Sequence, residues 1–210
     1  MKLYVYDHCP FCVRARMAFA LKNVPVEVAI IMEGDVETPT RMIGKKMVPI
    51  LQKEDGSYMA ESLDIVRYAD QQGTPQFAGS VDAQIDTWLK NIWSEAAKLF
   101  VPRFTQANFA ELATKEARDA FFQREQKAFG NLADLIASTP TLINEITPKL
   151  DALVPLVQHR QQADINDIVL WPVLRSLSIV KDLPFPPAVQ DYMQRLEKET
   201  AIPLLFNQAM

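Results

Sequence analysis

The chain has 210 residues and a formal charge of −4, with 49% hydrophobic and 23% charged residues. This is the composition of an ordinary globular protein of one or two domains, and because neither half is basic, nothing indicates nucleic-acid binding. No apolar run is long enough to cross a bilayer, the N-terminus lacks a signal-peptide pattern, and two cysteines exclude a secreted disulfide scaffold. We therefore expect a cytoplasmic protein that binds neither nucleic acid nor membrane.

The most informative motif follows the first predicted strand. Apolar residues 3–6 predict a short strand, and Cys9-Pro10-Phe11-Cys12 lies between this strand and an amphipathic helix. A Cys-x-x-Cys between a strand and a helix is typical of a thioredoxin-like redox site. Pro10 suits the first helical position, where no N–H is needed. The free N–H groups and the positive dipole end at this position favour a thiolate at Cys9, with Cys12 one turn further inside.

Other uses of a cysteine pair account less well for this sequence. A zinc site needs about four ligands, whereas the chain offers two cysteines and two histidines, His8 and His159. Haem attachment needs a histidine directly after the second cysteine, and Val13 stands there. A structural disulfide would close too short a loop to constrain much of the chain. We therefore expect a dithiol redox pair and no metal. His8 could tune the Cys9 thiolate, and Arg14 and Arg16 could add positive potential to it. We interpret His8 instead as a surface residue and the two arginines as solvated residues of the helix.

The next sixty residues predict a strand–helix–strand unit and then a hairpin with a final helix. The second strand is apolar enough to be buried on both faces and should pair in parallel with the first. Lys53-Glu54-Asp55-Gly56 predicts the hairpin turn. The predicted elements are a strand at 26–31, a helix at 38–43 that ends at Gly44, strands at 48–51 and 57–59, and a helix at 63–72.

Beyond a linker rich in glycine and proline, residues 73–81, the sequence shows helical periodicity and no strand-like alternation. Asp164 and Asp167 predict a capping box, with Asp in the place of the usual Glu, before a helix that is apolar on nearly every face. An apolar tail, residues 202–206, should dock on the body of the protein. The predicted helices span 85–100, ended or kinked by Pro102, then 115–137, 141–157 with internal prolines, 168–180 and 187–199.

The cysteine motif resembles the active site of the glutaredoxins, which reads Cys-Pro-Tyr/Phe-Cys. With Val48-Pro49 and the long helical region, the resemblance covers the whole chain and narrows to the large bacterial glutaredoxins shaped like glutathione transferases. It implies an α/β thioredoxin-like N-terminal domain at 1–72, a linker at 73–81, and an all-α C-terminal domain at 82–210. It also implies a glutathione-dependent thiol–disulfide oxidoreductase in which Cys9 and Cys12 are catalytic.

The same resemblance implies how one face of glutathione is held. These families place a cis-proline opposite the Cys-x-x-Cys, and at Pro49 it would turn the backbone of Val48 towards Cys9. The N–H and C=O of Val48 would then pair with the cysteinyl part of glutathione in the manner of a strand. Pro10 and Phe11 would also contact glutathione, and Phe11 would give the site an apolar rim.

The role of Glu61 and Ser62 has two interpretations, helix capping and glutathione binding. From the residues alone they predict a helix cap, with Ser62 at the N-cap position or Glu61 supplying negative charge to the first turn. The resemblance to glutathione transferases implies that Ser62 binds the γ-glutamyl carboxylate at the helix N-terminus, while Glu61 meets the amino group. Lys45 and Lys46 lie near this groove, where they could meet the glycyl carboxylate.

The partners implied are glutathione and proteins that are glutathionylated or contain disulfides, with glutathione as co-substrate and no tightly bound cofactor. We expect a monomer. Two alternatives stay open. A glutathione transferase would add glutathione to electrophiles, and conjugation that survives Cys9→Ser would favour it. A carrier of a glutathione-ligated iron–sulfur cluster would show visible absorbance after anaerobic purification.

Overall fold

A four-stranded mixed sheet organises the first part of the chain in the computed structural model, which describes residues 1–210. The strand order is β2-β1-β3-β4; β1 pairs in parallel with β2 and antiparallel with β3, which pairs antiparallel with β4. The expected order βαβαββα is therefore confirmed, with element ends shifted by one or two residues. The elements are β1 (Lys2–Val5), α1 (Pro10–Leu21), β2 (Glu27–Ile30), α2 (Glu37–Ile43), β3 (Ile50–Gln52), β4 (Tyr58–Met59) and α3 (Ser62–Asp70).

The prediction that the second strand is buried on both faces is wrong. β2 forms an edge of the sheet, and Glu27, Val28 and Ile30 are exposed. An edge strand has a neighbour on one side only, so apolar side chains there can remain in contact with water. Apolar composition alone does not distinguish this position from a central one, because folded proteins expose many apolar residues.

The second part of the chain is helical, as expected. The predicted single helix over 115–137 is wrong, because Gly130 adopts a φ of +81° that ends α5, and Asn131 caps α6 through its side chain. No helix is long and apolar enough to span a membrane. The helices are α4 (Ala83–Phe104), α5 (Lys115–Phe129), α6 (Leu132–Ala137), α7 (Thr139–Val157), α8 (Ile165–Leu177) and α9 (Pro187–Thr200), with 3-10 turns at Ala110–Leu112 and Phe206–Gln208.

Prolines interrupt these helices less than expected. Pro102 lies inside the last turn of α4, which continues to Phe104, and α7 runs through Pro148 and Pro155 without a break. A proline removes one backbone hydrogen bond. We attribute the continuity to tertiary packing, since α4 and α7 pack against each other.

Helix α8 is buried from Asn166 to Leu177. It packs against α1 as well as α4 and α9. The predicted capping box is confirmed, because Asp164 accepts a hydrogen bond from the N–H of Asn166 at 2.7 Å and Asp167 accepts one from the N–H of Asp164 at 2.8 Å. The apolar tail also docks as expected, with Ile202 and Leu204 buried.

Candidate functional site

The two cysteines lie at the start of α1. Cys9 is the N-cap residue with extended backbone angles, Pro10 is the first helical residue, and the C=O of Cys9 accepts the N–H of Val13 at 3.0 Å. Both thiols are free; Cys9 is partly exposed, whereas Cys12 is 0% exposed. The structure therefore places the pair as the sequence predicts, with one sulfur open to reaction and the other one turn inside the helix.

The two sulfurs have opposite ionisation behaviour. A hydrogen bond from the Cys12 thiol is the main cause that lowers the pKa of Cys9 to about 6; burial opposes this shift, and His8 and the N–H groups of Cys12 and Phe11 favour it. Burial, together with the hydrogen bond to Cys9, raises the pKa of Cys12 well above its ordinary value. A thiol with a pKa near 6 is about nine-tenths ionised at pH 7. Cys9 is thus a thiolate and Cys12 a thiol near neutral pH.

His8 is not a surface residue, and that prediction is wrong. The side chain is only 6% exposed, and its Nδ1 lies 2.7 Å from Oε1 of Glu111. The backbone N–H of His8 donates to the same oxygen at 2.9 Å. Burial acts to raise the pKa of Glu111, but the hydrogen bonds and charge of His8 outweigh it and leave that pKa lowered. His8, directly before Cys9, is therefore bound to the helical part of the chain through Glu111.

A second buried carboxylate, Glu33, lies on the other side of the His8 ring. Its Oε1 is 3.9 Å from Nε2 of His8, and its Oε2 is 2.8 Å from Nη1 of Arg124. Lys46 approaches the same Oε2 at 3.9 Å. The backbone also joins the two acids, because the N–H of Glu33 donates to the C=O of Glu111 at 3.0 Å. These residues form one charged cluster beside the reactive sulfur.

Asp7, the residue before His8, contacts two arginines. Arg16 pairs with the Asp7 carboxylate, and buried Arg175 of α8 donates to the Asp7 carbonyl at 2.9 Å and reaches its carboxylate at 3.3 Å. Burial opposes ionisation of Asp7, but Arg175 and Arg16 lower its pKa overall. The interpretation of Arg16 as solvated is thus wrong. Arg14 is also half-buried, with its guanidinium 4.7 Å from the ring centre of Phe11.

The Val48–Pro49 peptide bond is cis, as expected from the resemblance. The proline lies just before β3 rather than inside the predicted strand at 48–51, since β3 begins at Ile50. Pro49 is buried, and half-buried Val48 lines the same cavity as Cys9.

Neither residue of the Glu61–Ser62 pair caps its helix through a side chain. Helix α3 begins at Ser62, with Glu61 as the N-cap residue, and the prediction of Ser62 as N-cap is wrong. Glu61 has a φ of +67°, a conformation that is unfavourable for a residue with a side chain and is often found at functional sites. Its carboxylate is exposed and lies 3.2 Å from Nζ of Lys45. The hydroxyl of Ser62 is free of a capping role and remains available to a ligand.

A cavity of about 400 Å³ opens beside Cys9 towards the helical part of the chain. Several aromatic residues of the helices line this cavity, although their helical spacing is that of residues packed in a core. Trp93 is 37% exposed and lies 6.0 Å from Phe11, ring centre to ring centre. The wall from the helices consists mainly of Trp93, Ala97, Phe100, Val101, Phe104, Phe121 and Phe129.

Comparisons with known proteins agree with this architecture. A family model described as the N-terminal domain of glutathione S-transferase matches residues 3–76, and one described as the C-terminal domain of glutaredoxin 2 matches residues 84–209. Glutaredoxin 2 of Escherichia coli K12 is 44% identical over 215 residues, which cover 100% of both chains.

Solved structures give the same result. Glutaredoxin 2 from Salmonella typhimurium, solved in complex with glutathione, superposes with a TM-score of 0.95 at 41% identity, covering 100% of this chain and 98% of that one. Gtt2 from Saccharomyces cerevisiae shares the fold at a TM-score of 0.57 and 18% identity, over 94% and 96% of the two chains. The thioredoxin-like fold with a helical second part is thus confirmed, and the chain belongs to the glutaredoxin 2 family.

Proposed function

We propose that this glutaredoxin carries out glutathione-dependent thiol–disulfide exchange with Cys9 as nucleophile and Cys12 as resolving thiol. The observation that carries the proposal is the placement of two free thiols at the start of one helix, with Cys9 accessible at the N-cap and Cys12 buried. This placement lowers the pKa of Cys9 and raises that of Cys12. The thiolate is the nucleophile in thiol–disulfide exchange, and a thiol of low pKa is also a good leaving group. Both properties are needed by a sulfur that must attack a disulfide and later be released.

The first half-reaction uses Cys9 alone. Its thiolate attacks the glutathione sulfur of a mixed disulfide, the substrate thiolate leaves and takes a proton from water, and a Cys9–glutathione disulfide remains. The thiolate of a second glutathione then attacks the glutathione sulfur of that disulfide, which releases oxidised glutathione and restores Cys9.

With a protein disulfide, the Cys9 thiolate attacks one sulfur, the other leaves as a thiolate that takes a proton, and a Cys9–protein disulfide remains. Cys12 then loses its proton and attacks the Cys9 sulfur, which releases the second protein thiolate and closes the Cys9–Cys12 disulfide. One glutathione thiolate attacks Cys9 and frees Cys12, and a second attacks the Cys9–glutathione disulfide, which releases oxidised glutathione and restores both thiols.

Glutathione would lie on the side of Cys9 that faces β3 and α3. Val48, before the buried Pro49, would pair its backbone with the cysteinyl part, and Ser62 would bind the γ-glutamyl carboxylate with its hydroxyl and N–H. Glu61 would meet the amino group. The absence of side-chain caps on α3 and the glutathione held by the Salmonella relative support this assignment.

The apolar cavity would receive the other half of the mixed disulfide. It borders Cys9 on the side of α4 and α5, and buried Pro10 and exposed Phe11 also line it. The substrates we propose are glutathionylated or disulfide-containing proteins, with the enzyme acting as a cytoplasmic monomer and without a tightly bound cofactor. We also propose domains at 1–72 and 82–210 joined by a linker at 73–81, a division that the ranges of the two family models support.

Two assays on the same preparation test the function. The wild-type protein should reduce a small glutathione mixed disulfide with glutathione as reductant, measured through coupled consumption of NADPH. It should not accelerate conjugation of glutathione to an aromatic electrophile, because the Cys9 thiolate is itself the nucleophile towards disulfides and does not activate the thiol of glutathione. Conjugation without disulfide reduction would instead identify a glutathione transferase.

Ser62→Ala should weaken glutathione binding with little effect on the chemical step. The substitution removes one hydrogen bond to a charged carboxylate, which is worth about 1.5–3 kcal/mol and corresponds to a rise in KM of about tenfold or more. The measurement is KM and kcat for glutathione. Exposed Ser80 in the linker provides the control, and Ser80→Ala should leave both constants unchanged. A Ser62→Ala enzyme with an unchanged KM would show that the γ-glutamyl carboxylate binds elsewhere.

A further inference from the structure

Arg14 is half-buried and makes no hydrogen bond or ion pair with the rest of the chain. Its Nε is buried and has no acceptor. Every other arginine donates to at least one carboxylate, carbonyl or hydroxyl oxygen. Withdrawing a charged donor from water without an acceptor costs free energy, so buried donors are nearly always paired. The Arg14 guanidinium is therefore suited to a partner from outside the chain.

An aromatic ring, rather than an acid, holds this guanidinium in position. It lies 4.7 Å from the ring centre of Phe11, which is exposed and stands two positions after Cys9. Phe11 in turn lies 6.0 Å from Trp93 of α4, ring centre to ring centre. A guanidinium over a ring keeps its N–H edge free, and that edge matches the two oxygens of a carboxylate. The arrangement thus offers a binding site for a carboxylate close to the reactive sulfur.

Arg14 lines a groove of about 500 Å³ that is distinct from the apolar cavity described above. Phe11 and Trp93 line both the groove and the cavity, so the two adjoin each other. The other charged residues of the groove, Asp86 and Lys90, pair with each other. Arg14 therefore carries the unpaired charge of a groove whose remaining wall is apolar and consists of Leu63, Val81, Leu89 and Val169.

Ionisation of Cys9 does not account for the position of Arg14. The lowered pKa of Cys9 comes chiefly from the hydrogen bond of the Cys12 thiol, with further contributions from His8 and from backbone N–H groups. Burial lowers the pKa of Arg14, and the charge of Cys9 opposes this shift without reversing it. Arg14 thus lies near the sulfur, but its charge is not compensated there.

We propose that Arg14 binds an acidic side chain that lies close in sequence to the glutathionylated cysteine of a protein substrate. The proposal rests on the proposed function and narrows the substrates to glutathionylated cysteines with an acidic neighbour. The γ-glutamyl carboxylate already has Ser62 and the N-terminus of α3 as its proposed site, so the carboxylate that Arg14 binds belongs to the polypeptide. Arg14 does not contact the reacting atoms and determines specificity only.

The path of the substrate follows from the two adjoining spaces. When Cys9 attacks the glutathione sulfur, the polypeptide is the leaving group, and its cysteine lies in the apolar cavity. The residues next to that cysteine pass Phe11 and Trp93 and enter the groove. Successive side chains of an extended segment point to opposite sides, so only some neighbouring positions can direct a carboxylate towards Arg14.

The test uses glutathionylated peptides that are acetylated and amidated, each with one cysteine and either a glutamate or a glutamine at the same nearby position. That position is varied from two residues before the cysteine to two after it, and kcat/KM is measured with glutathione as reductant. At the best position the wild type should favour the glutamate peptide about fivefold, a modest factor because the ion pair is partly exposed. Arg14→Gln should bring the ratio to about one. Arg14→Lys, which keeps the charge without the paired N–H groups, should leave it at about twofold.

Arg195→Gln provides the matched control. Arg195 is also half-buried over an aromatic ring, that of Tyr192, but it lies on α9 and pairs with Glu199. Its substitution should leave the ratio unchanged. Equal kcat/KM values for every glutamate and glutamine pair in the wild type would overturn the proposal, and so would an Arg14→Gln variant that keeps the preference.

Two further measurements on Arg14→Gln identify the other roles that this residue could have. If it bound the γ-glutamyl carboxylate, the KM for glutathione with a small mixed disulfide would rise and the peptide ratio would not change. If it served the Cys9 thiolate, the pH midpoint of Cys9 alkylation by iodoacetamide would rise and both peptides would be reduced more slowly to the same extent. Either result would contradict the proposal, which expects an unchanged KM and an unchanged midpoint.

Circular dichroism checks that each variant is folded, and if Arg14→Gln is not, the ratio for Arg14→Lys decides. A wild type that reduces neither peptide of any pair would refute the proposed function together with this inference. A wild type that reduces both peptides of each pair equally well would refute this inference alone.

Discussion

Cys9→Ser should abolish glutathione-dependent reduction of a small mixed disulfide, lowering kcat/KM by roughly three orders of magnitude or more. A serine hydroxyl does not ionise near neutral pH and cannot form the disulfide with glutathione on which turnover depends. The variant therefore lacks the thiol whose pKa its neighbours lower to about 6. The measurement is steady-state reduction with glutathione, glutathione reductase and NADPH.

Cys12→Ser is the matched variant, and it should keep a substantial part of this activity. Both steps with a glutathione mixed disulfide occur at Cys9, and the serine hydroxyl at position 12 can still donate a hydrogen bond to the Cys9 thiolate. With a protein disulfide as substrate the same variant should lose most of its activity, because no second thiol resolves the intermediate. If Cys12→Ser were as inactive as Cys9→Ser on the small substrate, the proposal that Cys9 alone reduces a glutathione mixed disulfide would be wrong.

Asp167→Ala should lower the free energy of unfolding by about 3–5 kcal/mol, the range for breaking a buried ion pair from one side. Asp167 is 0% exposed and accepts hydrogen bonds from Arg160 at 2.9 Å, from the Tyr192 hydroxyl at 2.7 Å and from the N–H of Asp164 at 2.8 Å. Removal of the carboxylate leaves the Tyr192 hydroxyl and the N–H of Asp164 without their acceptor, and it leaves Arg160 with Asp164 as its remaining acidic partner. Urea denaturation followed by circular dichroism measures the change.

Asp151→Ala provides the control for this prediction, since Asp151 is an exposed residue of α7. A surface substitution of this kind usually changes stability by less than about 0.5 kcal/mol. A loss below about 1 kcal/mol for Asp167→Ala would show that the buried network contributes little beyond the capping box itself.

Local signals in the sequence predicted a large part of the fold. Pro10 after Cys9 marks the start of α1, and Asp164 with Asp167 marks the start of α8, because helix starts depend on residues only a few positions apart. The order of strands and helices follows from apolar periodicity in the same way. Gly130 shows the limit of this approach. The apolar stripe continues across the glycine, whereas the helix ends there.

Features that depend on distant residues could not be predicted in this way. The partner of His8 is Glu111, 103 positions later, and nothing in the local sequence around His8 indicates burial. The edge position of β2 depends on which strands pair, and its composition is the same as that of a central strand. The aromatic wall of the cavity has the periodicity of a core face, because a cavity lining and a core both consist of the inward side of a helix.

The contact between Asp7 and Arg175 has a consequence for how the protein matures during synthesis. Arg175 holds the Asp7 carbonyl from 168 positions away, and its Nε donates to the C=O of Pro203 at 2.9 Å. A ribosome releases the cysteine motif long before it has translated either partner. The nascent chain therefore carries two thiols whose surroundings are unfinished, and Asp7 gains this anchor only after residues 175 and 203 have been made.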